Sequence, residues 1–226
     1  MAANQEGGAQ RMALLLALVA GYVDTLGFVA LFGLFTAHVT GNFVLIGKEL
    51  SGPGEGVLIK LLAFPAFILG VALARLAALA LKKHGVVETR PLLLLQTGFL
   101  LAFMAFGLAA LPLTRPDALL AILAGMCGAF AMGVQNAQGK LALAALVPTT
   151  VMTGNVTQLV MDAVDLLFKI DPLSASSARK RMARMLPPVL SFAVGAVGGA
   201  FAFHFASFWA LLLPVLALLW AWYLAR

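Results

Sequence analysis

The chain has 226 residues, of which 62% are hydrophobic and only 11% are charged, and its mean hydropathy is +1.02. A soluble domain carries about 25% charged residues, so this composition excludes a soluble fold and predicts a multi-pass protein in contact with the lipid bilayer. The net charge of +6 predicts basic loops at a membrane surface and no nucleic-acid binding. The single cysteine excludes an internal disulfide.

The first half of the chain holds three stretches of about 20 mainly apolar residues, the length that a transmembrane helix needs. Residues 1–10 are polar and small and are expected to form a disordered tail. The predicted elements that follow are a span at 12–34, a break at 35–42, a short helix at 42–50 and two spans at 57–81 and 91–111.

The second half has the same order of elements after a short loop at 112–117. We therefore expect an all-α integral membrane protein with about six transmembrane helices in one membrane domain, divided into repeat 1 at 11–113 and repeat 2 at 114–226. The predicted elements of repeat 2 are a span at 118–138, a second break, a short helix at 153–168, a basic loop at 169–185 and spans at 186–205 and 208–224.

The tripeptide Thr-Gly-Asn occurs once in each repeat, at 40–42 and at 153–155, so the copies lie half a chain apart. Asn is a good helix N-cap, Gly permits an unusual backbone angle, and a helix that starts there directs its positive end forward. Three spans per repeat would invert the second repeat relative to the first, as in many secondary transporters. The alternative is an ordinary helix cap at the membrane interface.

Asp24 is the only carboxylate inside a predicted span. It lies about twelve residues into that span, near the membrane midplane at ~1.5 Å per residue. A charge there costs at least ~2.5 kcal/mol, so we expect Asp24 to be functional and to carry a coupling proton. The alternative is a packed aspartate that is neutralised by protonation or by Arg75.

The other polar residues of the spans and short helices complete the predicted pathway. Gln135 and Asn136 could bind a ligand or bridge helices. Asn155, Gln158 and Asp162 form a polar stripe that faces either a pathway or the membrane surface. The predicted substrate and proton pathway is Asp24, Thr40, Gly41, Asn42, Gln135, Asn136, Thr153, Gly154, Asn155, Gln158 and Asp162, with His38 and Arg75 as secondary candidates.

The sequence lacks the H-E-x-x-H, G-x-S-x-G and phosphate-binding motifs of common enzymes, so we expect no enzymatic activity. One cysteine and three scattered histidines predict no metal site, and no cofactor is expected. Arg75 and Lys140 lie within or beside apolar stretches and are not counted. Of the other Lys and Arg residues, ten fall on the side of the N-terminus and three (Lys48, Lys60 and Arg115) on the other side. The positive-inside rule then predicts that both termini are cytoplasmic.

Four segments of the chain resemble the YoaK family of bacterial inner-membrane proteins, a domain of unknown function. They are AGYVD at 20–24, FTAHVTGN at 35–42, MGVQN at 132–136 and VMTGN at 151–155. The family usually has Asn or Ser where His38 stands. The resemblance implies about six spans in the bacterial inner (plasma) membrane and small-molecule efflux.

The sequence thus favours a transporter of a small solute, coupled to protons and directed outward, that could form a homo-oligomer. A non-transporting membrane scaffold or assembly protein is the first alternative, and a passive channel is the second. A transporter requires a cavity lined by Asp24 and the asparagine amides, whereas a scaffold would pair these groups with one another.

Overall fold

The computed structural model describes residues 2–52, 54–143, 146–169 and 175–225, and the regular elements in these ranges are all helices. Both predicted short helices are confirmed as α2 and α6. In chain order, the elements are α1 (Ala2–Ala30), α2 (Gly41–Leu50), α3 (Val57–Lys83), α4 (Thr89–Ala109), α5 (Leu119–Leu141), α6 (Thr153–Leu167), α7 (Ala175–Ala206), a 3-10 helix (Ser207–Leu211) and α8 (Leu212–Leu224).

Two helices begin earlier than the sequence predicts. The predicted disordered tail at 1–10 is replaced, from Ala2 onward, by the first turns of α1, and α7 begins at Ala175 inside the predicted loop at 169–185. Once a span has formed, each added helical residue gains a backbone hydrogen bond without a new nucleation step. The Ala, Lys, Arg and Met residues at the start of α7 are also good helix formers.

Five stretches of the described chain are long and apolar enough to cross a membrane, as expected for an integral membrane protein. The fifth, Ala175–Leu224, has 50 residues and would measure ~75 Å as one helix, more than twice the ~30 Å hydrocarbon core. The chain is interrupted in this stretch at Ser207, which has a positive φ of 50°. The count of six crossings therefore remains a prediction, with α7 and α8 as two crossings.

α1 packs along α7 in the same direction. The Leu18 carbonyl lies against Gly195 and the Tyr22 carbonyl lies against Gly199, one turn further along both helices. A Cβ atom on either glycine would overlap the facing carbonyl oxygen, so these two glycines permit close backbone approach. The helix that packs along α1 therefore comes from the other half of the chain.

α3 and α5 form the corresponding pair and also run in the same direction. The Phe130 carbonyl lies against Gly70, and further along both helices Arg75 and Lys140 line one groove. This pair again joins one helix from each half of the chain.

α1 and α5 run in opposite directions. The Leu16 carbonyl, in the middle of α1, accepts a hydrogen bond from Gln135 near the end of α5. Leu34, just beyond the end of α1, packs against Gly125 near the start of α5. The first helices of the two halves are therefore antiparallel.

α8 runs opposite to α1. The Tyr22 hydroxyl, in the second half of α1, donates to the Ala210 carbonyl before α8 begins. Arg11, near the start of α1, shares a groove with Leu224 at the end of α8. Since α7 runs parallel to α1, the chain reverses direction between α7 and α8, as two separate crossings require.

Candidate functional site: two polar clusters at the helix breaks

Asp24 holds the first helix break against the side of α1. Its Oδ1 atom accepts hydrogen bonds from the backbone N–H groups of Ala37 (2.7 Å) and His38 (3.3 Å) and from the Thr36 hydroxyl (3.4 Å). Asp24 is only 6% exposed and Thr36 is fully buried. The loop thus folds back into the protein, where the carboxylate satisfies backbone donors that no regular element pairs.

Asn42 closes the same loop on itself. Its amide oxygen accepts from the Phe35 N–H group and its amide nitrogen donates to the Phe35 carbonyl, both at 2.9 Å. The predicted helix-cap role is not what the structure shows, because Asn42 lies inside α2 and the N-cap residue, Thr40, makes no side-chain capping bond.

The unusual backbone angles of the first break lie elsewhere than predicted. Gly41 is the first residue of α2, whereas the positive φ values fall on Phe32 (54°) and Gly33 (77°), directly after α1. These residues turn the chain back toward α1. At position 41 the requirement for glycine is steric, because a Cβ atom there would press on the rings of Phe35 and His38.

The second cluster joins the end of α5 to the second break. The Thr150 hydroxyl donates to Asn136 Oδ1 (2.9 Å), and Asn155 Nδ2 donates to the Pro148 carbonyl (2.8 Å). Asn155 thus binds the residue seven positions before it, as Asn42 does. Proline has no backbone N–H, so the second hydrogen bond that Asn42 makes cannot form here.

The two clusters are separate in space. Gln135, next to Asn136, bonds to the Leu16 carbonyl, and Leu16 precedes Asp24 by eight residues of α1, a rise of ~12 Å. The structure therefore groups Asp24 with Asn42 and, apart from them, Asn136 with Asn155.

Three fully buried glutamines form a network beside the second cluster. Gln96 donates to Gln135 (2.7 Å), Gln138 donates to Gln96 (3.3 Å), and Gln135 donates to Leu16 and to Thr149. Gln138 Oε1 has no hydrogen-bond partner among the described residues. Gln135 was predicted, but Gln96 and Gln138 were not. The sequence feature that could have identified them is a glutamine inside an apolar run or at its end.

Glu49 of α2 forms a buried ion pair with Lys60 of α3. The side chains meet at 2.6 Å and are 8% and 1% exposed. Lys60 also donates to the Phe32 carbonyl at 2.6 Å, so it ties the first break to α3. From the sequence, Lys60 was counted among the basic residues on the side opposite the N-terminus. These partners were not predicted, because the first turn of α3 directs its amine into the protein. Removing only one partner of a buried Lys–Glu pair is strongly destabilising, because the other charge is left buried and unpaired.

Asp162 of α6 forms the corresponding ion pair with Arg181 of α7. Two hydrogen bonds join them, at 2.6 and 3.1 Å, and Gln158 donates to the same carboxylate. The hydrogen bond from the Arg181 guanidinium lowers the pKa of Asp162 below its usual value. The polar stripe of α6 therefore faces α7, and the opposite face exposes Val156 and Val160.

The remaining predicted residues lie outside the two clusters. Thr40, Thr153 and Gly154 are exposed. The His38 side chain is also exposed and packs against Phe35, so His38 contacts Asp24 only through its backbone N–H group. The other secondary candidate, Arg75, lines the groove between α3 and α5, and the partners of Asp24 come from the first break.

This architecture is that of a multi-pass α-helical membrane protein with two helix breaks folded back against its spans. The chain belongs to the family described as "Protein of unknown function (DUF1275)", whose profile matches residues 12–224. It is similar to the UPF0700 transmembrane protein YoaK of Bacillus subtilis (strain 168), with 32% identity over 204 residues and 84% of each chain covered. The resemblance to the YoaK family is thus confirmed. No solved structure gives a significant match.

Proposed function

We propose that this protein is a transporter of a small solute in the bacterial inner membrane, with both termini in the cytoplasm. The main observation behind the proposal is that two helix breaks, each closed by its own hydrogen bonds, follow two helices that run in opposite directions. Each break follows one of the antiparallel helices α1 and α5, and in each an asparagine binds the carbonyl seven residues before it. Broken helices in inverted repeats are the usual construction of secondary transporters.

The helix packing supports an inverted repeat as well. The Phe192 carbonyl lies against Gly21 where α7 meets α1, and the Phe67 carbonyl lies against Gly133 where α3 meets α5. If the first half of the chain is exchanged with the second, the contact between α7 and α1 corresponds to the contact between α3 and α5. An exchange of this kind supports a two-fold axis in the membrane plane.

The two ion pairs fit the role of gates in this proposal. Glu49–Lys60 ties α2 to α3, and Asp162–Arg181 ties α6 to α7. Opening one pair would free one break, and its asparagine could then exchange the backbone carbonyl for a solute. Asp24 would take up or release the coupling proton when the first break leaves its carboxylate.

A membrane scaffold is the second candidate, and one observation favours it. Asp24, Asn42, Asn136 and Asn155 all bond to their own breaks, as a bracing role requires. The same bonds would also close both breaks in an occluded transporter. Whether the breaks move therefore distinguishes a transporter from a scaffold.

The experiment measures whether the two breaks move together. Buried Thr36 and Thr149 each become a reporter, as Thr36→Cys or Thr149→Cys in a protein with Cys127→Ser. In a transporter, Glu49→Gln should speed thiol labelling at position 36 and slow it at 149, because opening one side closes the other. The exposed Glu55→Gln is the matched control and should change neither rate.

The reciprocal variant completes the test. Arg181→Gln should speed labelling at position 149 and slow it at position 36, with rates followed by mass spectrometry of protein in vesicles. Labelling that changes only beside the broken ion pair would favour the scaffold, because a static brace loosens locally.

A further inference from the structure

The groove between α3 and α5 carries a charge pattern that the two clusters do not use. Its volume is about 340 Å³ and its surface is almost entirely apolar, although the residues that line it include Arg75, Lys140 and Asn136 together with Phe67 and Val71. Neither cation forms a salt bridge or side-chain hydrogen bond with any residue that the structure describes. From this groove we infer a binding site for one anionic phospholipid of the surrounding bilayer.

The positions of the cations fit a lipid headgroup. Lys140 is the residue before the end of α5, and Arg75 lies eight residues before the end of α3, a rise of ~12 Å. The two helices run in the same direction, so both cations lie toward the same membrane face. Their long side chains are exposed and can reach the interfacial region while their stems remain in the apolar layer.

Asn136 supplies a third donor to the groove. Its Oδ1 atom accepts from Thr150 at 2.9 Å, while its Nδ2 atom makes only a long bond of 3.5 Å to the Met132 carbonyl. The amide nitrogen is therefore available to a phosphate oxygen. An occupied groove would contact the second break through this side chain.

The apolar part of the groove fits an acyl chain. Phe67, Val71 and Arg75 recur every four residues along one face of α3, and Leu141 faces them from α5. A phosphate between the cations would place its acyl chain along this face, toward the membrane interior. Basic pockets between transmembrane helices are common sites for anionic lipid headgroups.

The test measures phosphatidylglycerol binding to the purified, delipidated protein by native mass spectrometry. We expect Arg75→Gln/Lys140→Gln to weaken binding by about 30-fold, because each cation near an anionic headgroup contributes about fivefold. The matched control is Lys82→Gln/Lys83→Gln, which removes the same charge from exposed residues at the end of α3. It should change affinity by less than about threefold.

Three results would overturn the lipid site. Equal losses in the two double variants would indicate diffuse attraction to a basic surface. Equal binding of phosphatidylcholine would remove the role of the headgroup charge, and displacement of the lipid by millimolar inorganic phosphate or glycerol 3-phosphate would indicate a site for a soluble anion. Should the double variant fail to fold, Lys140→Gln alone should still weaken binding about fivefold.

Discussion

Single side chains define both helix breaks, and Asp24 shows how far the sequence could identify them. A lone carboxylate in an apolar span predicts an important residue. Its partners could not be predicted, because they are mainly backbone N–H groups 13 and 14 residues further along the chain. Lys60 shows a second limit. A count of basic residues assigns it only to a side of the membrane, and the carbonyl and carboxylate that bind it become visible only in the path of the first break.

The two asparagines should differ in their effect on stability. Asn42→Ala removes two hydrogen bonds to the Phe35 backbone. Asn155→Ala removes one to the Pro148 carbonyl and a weak one to the Met152 sulfur. A buried polar group left unpaired costs ~1–3 kcal/mol, so Asn42→Ala should lower the free energy of unfolding by ~2–4 kcal/mol and Asn155→Ala by about half as much. Thermal unfolding in detergent, with both variants in the same micelle, measures the difference.

Thr40→Ala is the control for the helix-cap interpretation. Thr40 is exposed and makes no capping bond, so this change should cost less than ~0.5 kcal/mol. If Thr40→Ala destabilised the protein as much as Asn42→Ala does, the tripeptide would be acting as a cap after all.

At the scale of helices, the elements were predictable and their partners were not. The lengths of the apolar stretches predicted the spans, and the two Thr-Gly-Asn copies predicted the positions of α2 and α6. The spans are hydrophobic on all sides, so no amphipathic face indicates which neighbour each helix contacts. Pairing depends on where a glycine meets a carbonyl, as Gly195 meets Leu18. This match of two surfaces is not visible in either helix alone.

Two glycines of α7 provide a matched test of this packing. A Cβ atom on Gly195 would overlap the Leu18 carbonyl, whereas one on Gly198 would make ordinary contact with the Tyr22 ring at 3.8 Å. Gly195→Ala should therefore destabilise the protein by ~1–3 kcal/mol through overpacking. Gly198→Ala should be neutral or stabilise it by up to ~1 kcal/mol through helix propensity.

Unfolding of both glycine variants in the same detergent measures the two effects. An equal effect of the two variants would mean that the overlap of a Cβ atom at Gly195 with the Leu18 carbonyl does not determine stability. The close approach of the two backbones would then not be the source of their pairing.

At the scale of the whole molecule, the helix directions fix which loops share a side of the membrane. Thr114 follows α4, whose end at Gly107 packs against Phe208, just after α7. Ser176 lies at the start of α7, which runs parallel to α1. The ends of α1, α4 and α7 therefore share one side, with Ser51 and Thr114, and Ser176 lies on the side where α1 begins.

The basic residues then indicate which side is the cytoplasm. Lys60 is neutralised in a buried ion pair. Without Lys60, the count of ten to three becomes ten to two and still favours cytoplasmic termini. With Cys127 replaced, single cysteines at the exposed positions Ser51, Thr114 and Ser176 report the side directly. An impermeant thiol reagent on intact cells should label the first two and spare the third.

The pattern of labelling separates two kinds of error. Labelling of Ser176→Cys alone would leave the helix directions intact and reverse the orientation in the membrane. Labelling of only one of Ser51→Cys and Thr114→Cys would mean that α1 and α4 end on opposite sides of the membrane. The antiparallel arrangement of the two halves would then be wrong. Reagent added to permeabilised cells should label all three positions, which shows that each cysteine is reactive once the membrane no longer protects it.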